Sequence, residues 1–210
     1  MRRETDAIPR ESSEKVEQRP LLLSLREATA PLHERLDRGV MAALGTVERY
    51  ATFLTASLAA VEPLESALAA FTEFPSAGRA ARIRADLAAL GATGNPVHVS
   101  VELPRTRAAA FGCAYVVEGS ALGGVVLAGI VATKLCVPLR ATTYLRLREE
   151  GTAAEWRRFV ERLEDWGREV TLDARAEARV AAIRAFEVYA AAFSSMGIAA
   201  ADDDVRAVAL

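Results

Sequence analysis

The sequence is poor in the residues from which covalent and polynuclear metal frameworks are built. Its 210 residues include two cysteines, Cys113 and Cys136, and two histidines, His33 and His98. Neither cysteine belongs to a Cys-x-x-Cys pair, so a disulfide scaffold and a thiolate zinc site are excluded, and buried thiols in a reducing cytoplasm are expected. No Glu-x-x-His occurs, and that leaves a bundle-type di-iron centre without its usual ligands. A surplus of charge is also missing. With 26 basic and 28 acidic side chains the net charge is −2, which gives no electrostatic reason to expect nucleic acid as a partner. Threonine, tyrosine and isoleucine are sparse beside alanine, leucine, arginine and glutamate, a balance that favours helices over strands.

The first twenty residues, "MRRETDAIPRESSEKVEQRP", are polar and lack the apolar core of a secretory leader. A flexible tail is expected over residues 1–20, and a second loose tail over 197–210, around "ADDDVR". Between them the periodicity predicts one all-α domain over 21–196. Its helices are expected at about Leu21–Leu44, Val47–Phe71, Ala77–Leu90, Arg105–Leu135, Thr152–Gly167 and Thr171–Ser195. Thr152 and Gly167 are the expected caps of the fifth. No repeat and no internal linker divides the chain.

One segment resists a simple reading. From Ala108 to Thr133 the chain carries a single charge, Glu118, and it includes "YVVEGSALGGVVLAGIVATK" with glycines at 119, 123, 124 and 129. Length and a Gly119-x-x-x-Gly123 spacing suit a transmembrane helix. Glu118, Ser120 and the charged amphipathic helices elsewhere favour a central buried helix instead, with no membrane involved.

The first helix holds "LLLSLREATAPLHERLDR". At 100° per residue from Leu22, the residues Leu25, Thr29, His33 and Leu36 fall within about 60° of it, so His33 is expected within the apolar stripe. Pro31 interrupts this helix. Two readings stand for His33: a core histidine with backbone partners, or a single-nitrogen ligand of the kind haem iron takes. The glycines likewise admit two readings. They allow close helix packing, or they let a backbone approach the face of a flat macrocycle that a Cβ would obstruct.

"LREATAPLHERLD" resembles the proximal helix of haem oxygenases, and "YVVEGSALGG" resembles the distal-helix signature of the bacterial, phytochrome-associated members. "GTAAEWRRFVERL" is similar to a later helix of that family. The resemblance runs from about Leu22 to Phe193. It implies an all-α, single-domain haem-oxygenase-like bundle with haem between the first helix and a kinked glycine-rich helix. It further implies an enzyme that converts haem, as both cofactor and substrate, with O2 and external electrons into biliverdin, carbon monoxide and ferrous iron. His33 is then the iron ligand, oriented by Asp37 or by the main chain, and Gly119, Ser120, Gly123 and Gly124 form the catalytic distal face. Arg26, Thr29, Tyr115, Arg158 and Arg162 are the implied haem contacts, the arginines toward the propionates. A ferredoxin or other soluble reductase is the implied electron donor, and a phytochrome the implied biliverdin acceptor.

The pattern departs in places. Ser120 stands where animal members carry an aspartate, Val125 follows Gly-Gly where bacterial ones often have Arg or Gln, and "ATTYLRLREEG" lacks an aromatic-Tyr-Gly run. These departures keep a second function open, a haem sensor or carrier on the same fold that leaves the ring intact. A third is a non-haem relative, such as a thiaminase-like hydrolase or a di-iron oxidase, with Cys113 or Cys136 as nucleophile.

Overall fold

The computed structural model describes residues 19–99, 102–103, 105–147 and 151–198. The two expected tails lie outside the described residues, apart from Arg19, Pro20, Gly197 and Ile198. Six α-helices make up the fold: α1 (Leu21–Ala43), α2 (Val47–Leu68), α3 (Arg79–Ala89), α4 (Arg107–Lys134), α5 (Thr152–Glu169) and α6 (Leu172–Ser195). A 3₁₀ turn at Leu139–Ala141 lies between α4 and α5. The helices form an all-α, single-domain bundle.

Helix starts are set by side chains that take up otherwise unpartnered amides. Thr46, Thr106 and Thr171 accept from Arg49, Ala109 and Ala174 at the starts of α2, α4 and α6. Two starts borrow a carboxylate from another helix, where it also meets the positive end of the helix dipole. Glu164 of α5 accepts from Leu21 N and Leu22 N at 3.0 and 2.8 Å, because Pro20 at the α1 N-cap offers no side-chain acceptor. Glu65 of α2 accepts from Arg79 N and Ala80 N at the start of α3. Gly78 precedes that helix in the left-handed region at φ 67°, a conformation natural to glycine.

Two expectations about α5 are corrected. Gly151 occupies the N-cap position and Thr152 is the first helical residue. Gly167 does not end the helix, which continues to Glu169. A Cβ at Gly167 would lie 3.1 Å from the Leu21 side chain, so this glycine seats α5 on the buried first turn of α1. The helix α1 also runs unbroken through Pro31, and α2 through Pro63.

The core collects Leu25, Tyr50, Leu54, Val61, Leu64, Phe159 and Leu163 around the first half of α4. Phe111 stacks on Trp166 with ring centroids 4.4 Å apart and meets Phe74 edge-on. The closest helix pair is α4 with α6, whose alanines at 178, 181, 182 and 185 are buried. A Cβ at Gly112 would overlap the Ala178 carbonyl, so the two backbones touch there. Among the described residues α4 is the one helix long and apolar enough to cross a membrane. Its apolarity has a local cause: residues 108–117 are buried in the bundle, and Leu122, Val126 and Leu127 line a cavity.

Candidate functional site

α1 and α4 touch where the Tyr115 hydroxyl lies 3.4 Å from Thr29 Oγ1. Beyond that contact a cavity of about 840 Å³ opens, with α1 along one side and the glycine-rich part of α4 along another. Residues from α2, α6 and the turn before α5, with Arg79 of α3 and Trp156 of α5, close the rest. The size and the mostly apolar lining suit a drug-sized ligand with a few fixed polar contacts.

The α1 wall carries Arg26, Thr29, His33 and Asp37. Thr29 is buried and donates to Leu25 O at 2.8 Å. The His33 side chain is 59% exposed, although the wheel places it on the apolar stripe. Both observations hold, since the stripe here faces a cavity instead of packed protein. The reading of His33 as an enclosed core histidine is thereby excluded. Its ring lies 5.8 Å from that of Phe186, and Nδ1 sits 3.0 Å from Asp37 Oδ2, one helical turn on. That contact leaves Nε2 as the nitrogen not engaged by Asp37. His98 lies in the loop after α3 and does not line the cavity.

Along α4 the three glycines divide by what surrounds them. A Cβ at Gly123 would meet nothing within 4 Å, and one at Gly119 would rest at 3.5 Å from the Trp156 ring. Gly124 is different: a Cβ there would lie 2.9 Å from the Leu145 carbonyl oxygen. Gly123 therefore keeps cavity space open, while Gly124 brings the 142–147 turn against the helix. Ser120 Oγ donates back to Val117 O at 2.8 Å. Tyr115 is buried, with its ring centroid 6.0 Å from that of Trp156. Val125 does not line the cavity, so the apolar residue after Gly-Gly removes no polar group from its wall.

Two sequence-based candidates fall elsewhere. Arg158 pairs with Glu155 at 2.7 Å on the exposed face of α5. Arg162 donates to Glu73 O at 2.7 Å, lies over the Phe74 ring, and borders a separate cleft of about 190 Å³. Neither lines the main cavity, because their i,i+4 spacing puts both on the outer side of α5.

The deep end of the cavity holds groups that sequence reasoning missed. Arg79, 2% exposed, lies 3.0 Å from Glu118 and 3.7 Å from Glu65, so a buried guanidinium ties together α2, α3 and α4. Near it gather the hydroxyls of Ser57, Ser120, Tyr144 and Tyr189. Ser57 Oγ and the Tyr189 hydroxyl are buried and face Tyr144 without a well-formed hydrogen bond to it. Burial drives the Tyr144 and Tyr189 phenols above their ordinary range, Tyr189 farther, so both stay protonated. Tyr144 reaches this end because Asp86 accepts from the Thr143 and Tyr144 amides. Each of these side chains comes from a different element, so no local spacing announces the cluster.

The remaining candidates for chemistry are weak: Cys136, expected to be buried, is exposed and does not line the cavity. Burial pushes the Cys113 thiol up to about 12, which removes it as a thiolate nucleophile. Among the described residues no three His, Cys, Asp or Glu side chains gather as a metal cluster. A porphyrin iron needs no such cluster, and this donor set fits one: a lone imidazole with one engaged nitrogen, on a cavity whose other side includes a bare glycine backbone.

A family model described as Heme oxygenase matches residues 19–195. No curated protein sequence matches the chain. Among solved structures, the chain is similar to the NO- and CO-bound heme oxygenase from Neisseria meningitidis, with 26% identity and a TM-score of 0.71. The likeness covers 87% of this chain and 94% of that one.

Proposed function

The chain belongs to the heme oxygenase family, and from that premise we propose that it binds haem through His33 and opens the ring to biliverdin. Carbon monoxide and ferrous iron are the accompanying products. The observation that carries this reading is the pairing of His33 with Gly123 across one cavity: an imidazole on α1, and on α4 a position with no atom within 4 Å of where a Cβ would stand. A packed bundle would fill that space.

Bound haem supplies the iron and the oxidisable macrocycle; O2 and electrons come from outside the chain. His33 offers Nε2 while its Nδ1 proton is donated to the Asp37 carboxylate, and that hydrogen bond fixes the tautomer and ring orientation a metal ligand needs. Arg26, on the same wall two turns earlier, is the cation placed to meet a propionate. Gly119 and Gly123 keep side chains away from the ring face, and Trp156, Phe186 and Leu127 exclude bulk water from it. Ser120, which the resemblance puts where animal members carry an aspartate, has its hydroxyl donated to Val117 O. It can accept a hydrogen bond there but cannot supply a carboxylate.

The reading takes the protein as cytoplasmic, and its electron donor as a ferredoxin or another soluble reductase. A phytochrome as biliverdin acceptor rests on the Glu-Gly-Ser…Leu-Gly-Gly motif alone. The test is a haem titration followed by absorption spectroscopy, then reduction in air with product extraction. One-to-one binding and a green product are expected, and His33→Ala should lose the ligated spectrum. An unchanged spectrum in that variant removes the ligand assignment. Intact haem recovered after reduction in air would favour a carrier over an enzyme.

A further inference from the structure

A buried carboxylate that does not itself line the cavity accounts for how one of its walls is held. Asp86, in the last turn of α3, is 0% exposed. Its Oδ1 accepts from Thr143 N at 2.9 Å and Thr143 Oγ1 at 2.6 Å, and its Oδ2 accepts from Tyr144 N at 2.8 Å. No ion pair within 4 Å of Asp86 is present among the described residues, and the Arg82 guanidinium, one turn back on α3, favours its charged form from farther off. Burying a carboxylate in this way is costly unless its lone pairs are satisfied, and here they are satisfied by two successive amides and a hydroxyl of one turn. A second fastening acts on the same segment, where the Tyr50 hydroxyl donates to Ala141 O at 2.9 Å.

Tyr144, the second fastened residue, and Leu145 after it enter the cavity wall, as does Leu147. Tyr144 places its phenol in the buried hydroxyl cluster with Ser57 and Tyr189. Leu145 lays its carbonyl against Gly124, in the middle of the glycine-rich helix. Resting on the haem-binding reading above, we propose that Asp86 is a positioning residue for that site. It acts through the 143–144 amides, sets the height of the Tyr144 phenol, and holds the turn against α4 so that the deep end of the cavity keeps its shape.

Three properties set this role apart from ordinary core packing. Asparagine has the volume of aspartate but turns one acceptor into a donor, which would confront an amide N–H with another N–H. The perturbation is therefore confined to the turn. The effect on ligand should come by way of the wall, not through direct contact. Removing the Tyr144 hydroxyl alone should leave the turn in place.

The experiment uses the full chain with Asp86→Asn, Thr143→Val and Tyr144→Phe. It reads amide hydrogen exchange without haem, and haem affinity by absorption titration. In Asp86→Asn, exchange in 142–147 should rise about tenfold or more while α2 and α6 keep their protection. Haem should bind about tenfold more weakly, with its absorption maximum shifted. Thr143→Val, the milder change should Asp86→Asn fail to fold, should show the same pattern to a smaller degree. Tyr144→Phe should leave exchange unchanged. Unaltered exchange in 142–147 overturns the fastening. Faster exchange with unaltered haem affinity overturns the link to the site, and a rise spread evenly over all helices shows a global role instead. If the unmodified protein binds no haem, the functional reading fails while the exchange comparison still decides whether Asp86 holds the turn.

Discussion

Gly123 and Gly124 are neighbours on one helix, and replacing each by alanine should have opposite effects. Glycine inside a helix is less favourable than alanine by about 0.5–1 kcal/mol. At Gly123 a methyl group meets nothing within 4 Å, so that gain is realised in full. For a chain of this size it corresponds to a rise in Tm of about 1–4 °C. The same methyl group stands in the cavity, so haem affinity should fall as the fold becomes more stable. At Gly124 the Cβ lies 2.9 Å from a backbone oxygen that cannot rotate away. Overpacking of this kind costs about 1–3 kcal/mol, which cancels or exceeds the helix gain and leaves a net loss of up to about 2 kcal/mol. Gly112→Ala, against the Ala178 carbonyl, should lose more still, above about 2 kcal/mol. Thermal unfolding of the apo proteins followed by circular dichroism, with parallel haem titrations, gives both quantities. A Tm increase for Gly124→Ala equal to that for Gly123→Ala would show that Leu145 is not held against α4. Undiminished haem binding by Gly123→Ala would refute the placement of the ligand beside that residue.

Arg79→Met removes a buried guanidinium from beside Glu118 and Glu65 and should reduce stability by about 3–5 kcal/mol in chemical denaturation, with Glu118→Gln restoring part of the loss. A loss below about 1 kcal/mol would mean the guanidinium is not needed there. The tyrosines make a pH prediction. Burial raises the phenols of Tyr50, Tyr144 and Tyr189, so the folded state favours their neutral forms. Their contribution is fully present below the unfolded-state phenol pKa near 10 and is lost as pH climbs toward the raised values. Phenolate absorbance from these three of the four tyrosines should therefore appear only together with alkaline unfolding. Their early titration in folded protein would contradict the burial described.

The helices were legible because an amphipathic period shows up within a few turns of chain, and all six were recovered to within two or three residues at their ends. What covers a face was not legible. Periodicity gives His33 the same angle whether α1 packs on protein or borders a cavity, so its exposure had to come from the fold. Gly167 looked like a stop signal because glycine often ends helices; the true reason, the Leu21 side chain, lies far away in sequence. The charge and the i,i+4 spacing of Arg158 and Arg162 cannot distinguish the outer side of α5 from the inner. Arg79, Asp86, Tyr144 and Tyr189 meet only through tertiary contacts such as the one from residue 86 to residue 143, which no local pattern encodes. The motif around Glu118-Gly119-Ser120 was the exception, since a run of unusual composition marks its place even when its partners are unknown.

The support of α1 has a mechanical consequence. Leu21 and Leu25 anchor one end and Ala43 and Leu44 the other, while most side chains from Ala30 to Asp37 are exposed or half-buried. Pro31, at the start of that span, cannot donate a backbone hydrogen bond to the turn before it. The helix is thus fully buried only near its ends, while Leu32 and Leu36 are partly buried against the core between them and the imidazole rides on the section that Pro31 opens. On the haem-binding reading, this section of α1, not its buried ends, is the one that would have to yield to the thickness of a bound plate.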